Sequence, residues 1–289
     1  MTFKANAPAK INLTLDILSK RPDGYHDVAM LMQSVSLSDT VELTLTDTED
    51  IAIACSDPAI PCDSRNIVYK CAEAFFKATD KKNTGISLYI EKVIPCEAGL
   101  AGGSADGAAT LRLLNLAFDA HLSDKELCEI AAKAGSDIPF CIVGGTRLAT
   151  GTGTTLHKVR SMPKCFIVIV KPEISVSTRE AYALADSRTG TKFNYTDFCK
   201  QLLYGGDLAG IGSALHNDFE EVLKLDEINE IKKIMYNSKA LGAAMSGSGS
   251  AVFGIFRNER KAQKCVDKLK EAYSKVYLTV PTSKGAEII

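Results

Sequence analysis

Several features that would place a sequence at once are missing from this one. No stretch approaches the ~18 consecutive apolar residues of a membrane-spanning helix. The first residues, MTFKANAPAKINLTLDI, lack the uninterrupted apolar core of a secretory leader. Nor have they the Ser- and Arg-rich amphipathic character of an organelle-targeting segment. A cytoplasmic protein without a membrane partner is expected. Neither sign of charge is in excess, 34 Lys and Arg standing against 35 Asp and Glu. That balance argues against a nucleic-acid partner, whose phosphates call for surplus cations, although a local cationic cleft stays open. The nine cysteines are an odd number, and none makes a C-x-x-C pair or a Cys/His set at zinc spacing. Reduced and mostly buried thiols are expected. There is no internal repeat, low-complexity tract or long linker.

What remains is a globular pattern. With 289 residues the chain is long enough for two packed domains or one large one. Ile11, Leu13, Leu15 and Ile17 alternate with Asn12, Thr14 and Asp16, which predicts a half-buried strand. On its polar face Lys10 and Asn12 lie side by side, roughly 7 Å apart at two residues' rise. A turn follows at Pro22-Asp23-Gly24. Val41, Leu43 and Leu45 predict a second strand, and Ile86, Leu88 and Ile90 a third. Between them Ile67, Cys71, Ala74, Phe75 and Ala78 recur at helical spacing. A helix is predicted after the glycines at 99–103, and another opens at the capping box Ser123-Asp124-Lys125-Glu126 and stops at Gly135. Phe166 to Val170 reads as a fully buried strand. Helices around 198–204, 217–224 and 227–237 follow. A glycine/serine turn at 246–250, a strand at 251–256, a helix at 259–273 and a strand at 276–280 complete the chain. This order predicts two α+β domains sharing a cleft.

The strongest chemical signal is Pro95-Cys96-Glu97-Ala98-Gly99-Leu100-Ala101-Gly102-Gly103-Ser104-Ala105-Asp106, between a strand and a helix. Small residues let a backbone approach a ligand closely and adopt positive φ. The following helix turns its unpaired N–H groups and positive dipole end toward the loop, so the combination suits phosphate. The run lacks the Gly-Lys-Ser/Thr of a P-loop and does not fit G-x-G-x-x-G. A tight turn capped by Ser104 is the plainer alternative.

Three further constellations stand out. Lys10 lies on a strand patterned for burial, so its charge needs a partner or a ligand, unless the strand is an exposed edge. Lys20-Arg21-Pro22-Asp23-Gly24-Tyr25-His26-Asp27 sets an aromatic ring beside an imidazole, able to stack on a heterocycle and bond its edge, or simply a loop. In Ala134-Gly135-Ser136-Asp137-Ile138-Pro139-Phe140, Asp137 is either an N-cap or a carboxylate placed to accept a hydroxyl proton. A second small-residue turn, 241–253, is a further substrate-facing loop or a hairpin-like corner.

Taken together and in this order, PAKINLTLDI, KRPDGYHD, IPCEAGLAGGSADGAA, AGSDIPF and GAAMSGSGSAVFG resemble the GHMP small-molecule kinases across essentially the whole chain. The run Lys-Arg-x-Asp-Gly-Tyr-His is similar to the branch whose alcohol substrate carries a cytidine diphosphate group. The resemblance implies an α+β, two-domain GHMP kinase fold. Residues 1–160 would form an N-terminal ATP-binding domain with a left-handed βαβ-type nucleotide site. Residues 161–289 would form a ferredoxin-like C-terminal domain. It also implies ATP and Mg²⁺, and a monomer or homodimer. Lys10 and Asp137 match the family's catalytic pair. Residues Pro95 to Ala105 match its ATP loop, with Asn66 near the adenine and Ser104 the candidate magnesium ligand. Tyr25 and His26 match the cytosine-holding residues, Tyr182 a second stacking wall, and Asn12 a position beside the substrate's erythritol portion. The turn at 246–250 would close over the substrate side. Cys96 and Glu97 depart from the family's small or apolar residues, and Glu97 is expected to weaken nucleotide binding unless it points away. A homoserine- or mevalonate-type kinase, or a non-catalytic nucleotide-binding protein of the same fold, is the alternative reading. Asp23-Gly24-Tyr25-His26 argues against the first, and retention of both Lys10 and Asp137 against the second.

Overall fold

The computed structural model describes residues 1–187 and 193–289. Two long strands, β1 (Thr2–Lys20) and β2 (His26–Leu45), form an antiparallel hairpin closed by the turn at Pro22-Asp23-Gly24. A parallel pair, β3 (Ile51–Cys55) and β4 (Ile86–Glu91), is joined by helix α1 (Ile67–Ala78) and extends the sheet beyond β2. Helix α2 (Gly102–Ala117) follows the glycine run and packs on β1, β2 and α1. Helices α3 (Asp124–Ala131) and α4 (Ile138–Val143) cover its far side, before β5 (Thr146–Gly151) and β6 (Thr155–Lys158) return along β2.

The second sheet begins with β7 (Phe166–Lys171). Helices α5 (Thr178–Ala185), α6 (Tyr195–Gly205) and α7 (Leu208–Ser213) follow, then the short strand β8 (His216–Asn217) and helices α8 (Asp218–Leu223) and α9 (Asp226–Asn237). Strands β9 (Gly242–Met245) and β10 (Val252–Phe256), helix α10 (Glu259–Leu269) and strand β11 (Lys275–Thr279) complete it, and β12 (Glu287–Ile288) ends the chain. The sheet order β11-β7-β10-β9 is antiparallel throughout. Counted along the chain that order is 4-1-3-2, the ferredoxin-like arrangement. Strands β8 and β12 do not stay with this sheet: both pair with β1.

Those late pairings explain a difference from the sequence pattern. Alternation predicts a half-buried β1, yet Ala5 and every residue from Ala7 to Ile17 are buried on both faces. The polar face carrying Lys10, Asn12, Thr14 and Asp16 is covered by residues that come two hundred positions later, as when Asp218 accepts the Ile17 N–H at 2.7 Å. Register shifts between Pro8 and Lys10 and between Asn12 and Thr14 bracket the two functional candidates. Bulges of this kind re-aim side chains.

Local signals hold in most places. Ser123 and Glu126 form the expected reciprocal capping box. Helix α3 ends at Ala131 rather than running to Gly135. Gly135 serves close packing instead: a methyl group there would meet Ile67 and Ile138 at 3.2 Å. No helix of the described residues is long and apolar enough to cross a membrane.

Candidate active site

A cleft of about 1440 Å³ opens where β1, the loop before α2, the β1–β2 turn, α5 and the 247–249 turn meet. A single small-molecule pocket occupies roughly 300–1,000 Å³, so there is room for two ligands.

One end is built by the glycine run. Gly99 has φ +72°, and a Cβ there would lie 2.0 Å from the Ser246 carbonyl oxygen, so no side chain is tolerated. Ala101 is the N-cap of α2 in the left-handed conformation, φ 57°, and gives the helix no side-chain cap. The cap reading of Ser104 therefore does not hold. Ser104 sits in the first turn, faces the cleft, and its hydroxyl makes no hydrogen bond among the described residues. The first N–H groups of this 16-residue helix, without a side-chain cap, present their positive dipole end to the cleft.

Beneath the loop lies a cation that the sequence reading did not single out. Lys92 Nζ, almost fully buried, donates to Asp39 and, at 2.7 Å, to Asp106 Oδ2. Burial disfavours this charge, yet the carboxylates of Asp106 and Asp39 outweigh it and hold the ammonium above the ordinary lysine range. Burial also raises Asp106, against the pull of Lys92, and its Oδ1 is buried without a partner. Asp39 in turn accepts the backbone N–H of Ile94 at 2.8 Å, tying the start of the loop to β2.

At the middle of the cleft stands Lys10. Its Nζ donates to Asn12 Oδ1 at 2.7 Å and to the Gly99 carbonyl at 2.8 Å, and lies 3.9 Å from Asp137 Oδ2. Asp137 is the N-cap of α4, but its side chain makes no capping bond, so the carboxylate is not spent on the helix. Pro139 at the start of α4 sets that turn. The ammonium is buried and the carboxylate about one-third exposed, which gives the pair one face toward the cleft.

The turn at 246–250 braces this centre from behind. Ser246 Oγ accepts the Asn12 N–H at 3.2 Å and donates to the Gly99 carbonyl at 2.9 Å. Asn217 Nδ2 donates to the Met245 and Gly247 carbonyls, both at 2.8 Å, fixing the turn to β8. Gly247 to Gly249 also line the cleft, so the turn both supports Lys10 and forms part of the wall.

The far end is aromatic. His26 stacks on Tyr182 with ring centroids 4.5 Å apart and an interplanar angle of 17°. Tyr182 meets Phe219 edge-on at 4.9 Å, and burial, then the nearby Asp137 charge, push its phenol above the ordinary value. Tyr25, 65% exposed, projects from the hairpin turn. Asp186, at the end of α5, accepts from His26 Nε2 at 2.6 Å and from Lys20 Nζ at 2.5 Å.

The structure thus gathers Lys10, Asn12, Tyr25, His26, Asn66, Asp137, Tyr182 and Pro95 to Ser104 around one cleft. Ala105 is the exception, fully buried in the packed face of α2. Asn66 reaches the cleft with its amide already committed: Oδ1 caps α1 through Val68 N–H, and Nδ2 donates to the Pro61 carbonyl. Glu97 adopts φ 51° and lies 3.5 Å from Ser175 Oγ across the cleft mouth. Lys92, Asp39 and Asp186 escaped the sequence reading, while Asp106 and Ser246 stood inside segments it singled out but without the contacts seen here. Only Lys92, a charge at a strand end just before the glycine run, gave a local sign.

Two family models match: "GHMP kinases N terminal domain" over residues 66–145 and "GHMP kinases C terminal" over residues 199–275. The chain is 43% identical over 275 residues to a 4-diphosphocytidyl-2-C-methyl-D-erythritol kinase of Caldicellulosiruptor saccharolyticus, covering 94% of each. It superposes on a crystal structure of 4-(cytidine 5'-diphospho)-2C-methyl-D-erythritol kinase with TM-score 0.80 and 27% identity, over 96% of this chain and 98% of that one. A homoserine kinase from Cytophaga hutchinsonii shares the fold, with TM-score 0.83 at 20% identity over 100% of this chain and 97% of that one.

Proposed function

This chain belongs to the GHMP kinases, and from that premise we propose that it transfers the γ-phosphoryl group of ATP to the 2-hydroxyl of 4-diphosphocytidyl-2-C-methyl-D-erythritol. The products are the 2-phosphate and ADP, and the step belongs to non-mevalonate isoprenoid precursor biosynthesis. One observation supports the reading above others. The Lys10–Asp137 pair stands between an uncapped helix N-terminus suited to phosphates and an aromatic end suited to a base. The homoserine kinase likeness concerns the fold alone.

In this reading Asp137 accepts the proton of the substrate hydroxyl as the oxygen attacks phosphorus. Lys10, held by Asn12 and the Gly99 carbonyl, stabilises negative charge on that oxygen. The N–H groups at the start of α2 hold the phosphate oxygens in line, since phosphoryl transfer asks mainly for alignment and charge neutralisation. Mg²⁺, when bound with ATP, supplies further neutralisation of the phosphates. The unpartnered Ser104 hydroxyl at that helix end fits it as a ligand. Tyr25, His26 and Tyr182 hold the cytosine, far from the reacting hydroxyl, so remote binding orients the alcohol for attack. Asn12 lies beside the erythritol portion.

Phosphorus NMR of a reaction containing the protein, ATP, Mg²⁺ and the cytidyl alcohol tests the reading. One new phosphomonoester, coupled to the substrate's C2 and matched by ADP, supports it. A phosphate placed elsewhere on the molecule, or ADP without a phosphorylated product, overturns it.

A further inference from the structure

The carboxylate of Asp186 links two residues that face each other across the β1–β2 hairpin, Lys20 and His26, to the end of α5. Its bond to His26 has a chemical consequence. An ionised carboxylate only accepts hydrogen bonds. The His26 hydrogen bond, then that of Lys20, hold Asp186 below the usual carboxylate range, so it is ionised near neutrality. The His26 nitrogen it contacts, Nε2, therefore carries the hydrogen. In a neutral imidazole the other nitrogen, Nδ1, is then an acceptor. No described residue bonds His26 Nδ1, and His26 lines the cleft.

Pyrimidine bases differ at the edge such an atom would read. Cytosine presents an exocyclic amine, a donor, where uracil presents a carbonyl oxygen, an acceptor. An imidazole locked with its lone pair outward accepts from the amine and opposes the carbonyl. Stacking on Tyr182 holds the ring plane, and the Nε2–H bond to Asp186 fixes which edge faces outward. We infer that Asp186 is a positioning residue that sets base selectivity, holding His26 in the tautomer and orientation that favour a cytosine over a uracil nucleotide. The inference rests on the proposed cytidine-bearing substrate, and names the residue that enforces that choice without touching the base.

Titration calorimetry with CDP and UDP, on the wild type, Asp186→Asn and Lys20→Met, tests it. The wild type is expected to bind CDP the more tightly. In Asp186→Asn the neutral amide no longer dictates which nitrogen carries the hydrogen. The CDP/UDP affinity ratio is then expected to fall about tenfold or more, the size of one mismatched hydrogen bond. Lys20→Met removes the other half of the carboxylate's contacts and leaves His26–Asp186 intact, so its ratio is expected to match the wild type. Equal weakening of both nucleotides in Asp186→Asn, with the ratio preserved, would reduce Asp186 to a structural clamp and overturn the inference. The same fall in ratio for Lys20→Met would overturn it too. A wild type without preference for CDP contradicts instead the cytidine reading on which the inference stands.

Discussion

Lys10 Nζ lies 3.9 Å from Asp137 Oδ2 while donating at 2.8 Å to the Gly99 carbonyl, so one buried ammonium joins the carboxylate to the glycine run before α2. Because Asp137 makes no capping bond, replacing it should disturb chemistry more than folding. Asp137→Asn is expected to lower kcat by about 10²–10⁴-fold, with KM for either substrate changed only a few-fold. Lys10→Met is expected to fall within the same range, and the double variant to be little worse than either, as for groups acting as a unit. Steady-state kinetics decide; a near-wild-type kcat for Asp137→Asn would remove it as the base.

Gly99 carries the closest approach in the site. A methyl group there would sit 2.0 Å from the Ser246 carbonyl oxygen, on a residue with φ +72°. Gly99→Ala is expected to cost about 1–3 kcal/mol and to raise KM for ATP as the loop shifts. Thermal unfolding and ATP titration read both. An unchanged Tm with unchanged ATP binding would mean that the two turns are not packed as described.

Ser104 offers a separable test of the metal. Removing one ligand hydroxyl should weaken binding of Mg²⁺–ATP more than that of metal-free ATP. For Ser104→Ala, the Mg²⁺ needed for half-maximal rate is expected to rise about tenfold. An unchanged Mg²⁺ dependence would exclude its hydroxyl as a ligand.

The Asp39–Lys92–Asp106 cluster predicts a dependence on pH. Burial pushes the Asp106 carboxyl above its ordinary 3.8, against the pull of Lys92, so the folded protein holds this proton more tightly than the unfolded chain. Its stabilising contribution is complete below 3.8 and is lost as pH rises from there through the raised value. Asp106→Asn has no proton to lose. Across that window the wild-type Tm is therefore expected to decline relative to the variant, and parallel Tm–pH curves would contradict the raised carboxyl.

The reach of the sequence follows the range of the interactions. The glycine run, the hairpin turn and the Asp137 turn were legible because φ, capping and proline act over a few residues. Lys10 was legible through the cost of placing a charge on a buried strand. Lys92 with Asp106 was not, although Asp106 stands inside the recognised run, because only the folded loop brings the two together. Asp186 had no local sign at all, its partners Lys20 and His26 lying more than 150 positions earlier. The burial of both faces of β1 likewise depends on β8 and on residues such as Ser246 and Asp218, which no periodicity within β1 can announce.

The central claim is most directly tested by ADP release from ATP and Mg²⁺ with diphosphocytidyl-methylerythritol, mevalonate, homoserine and galactose offered in parallel. ADP is expected with the cytidyl alcohol alone. ADP with another of the four, and none with the cytidyl compound, would contradict the assignment of Tyr25, His26 and Tyr182 to a cytosine.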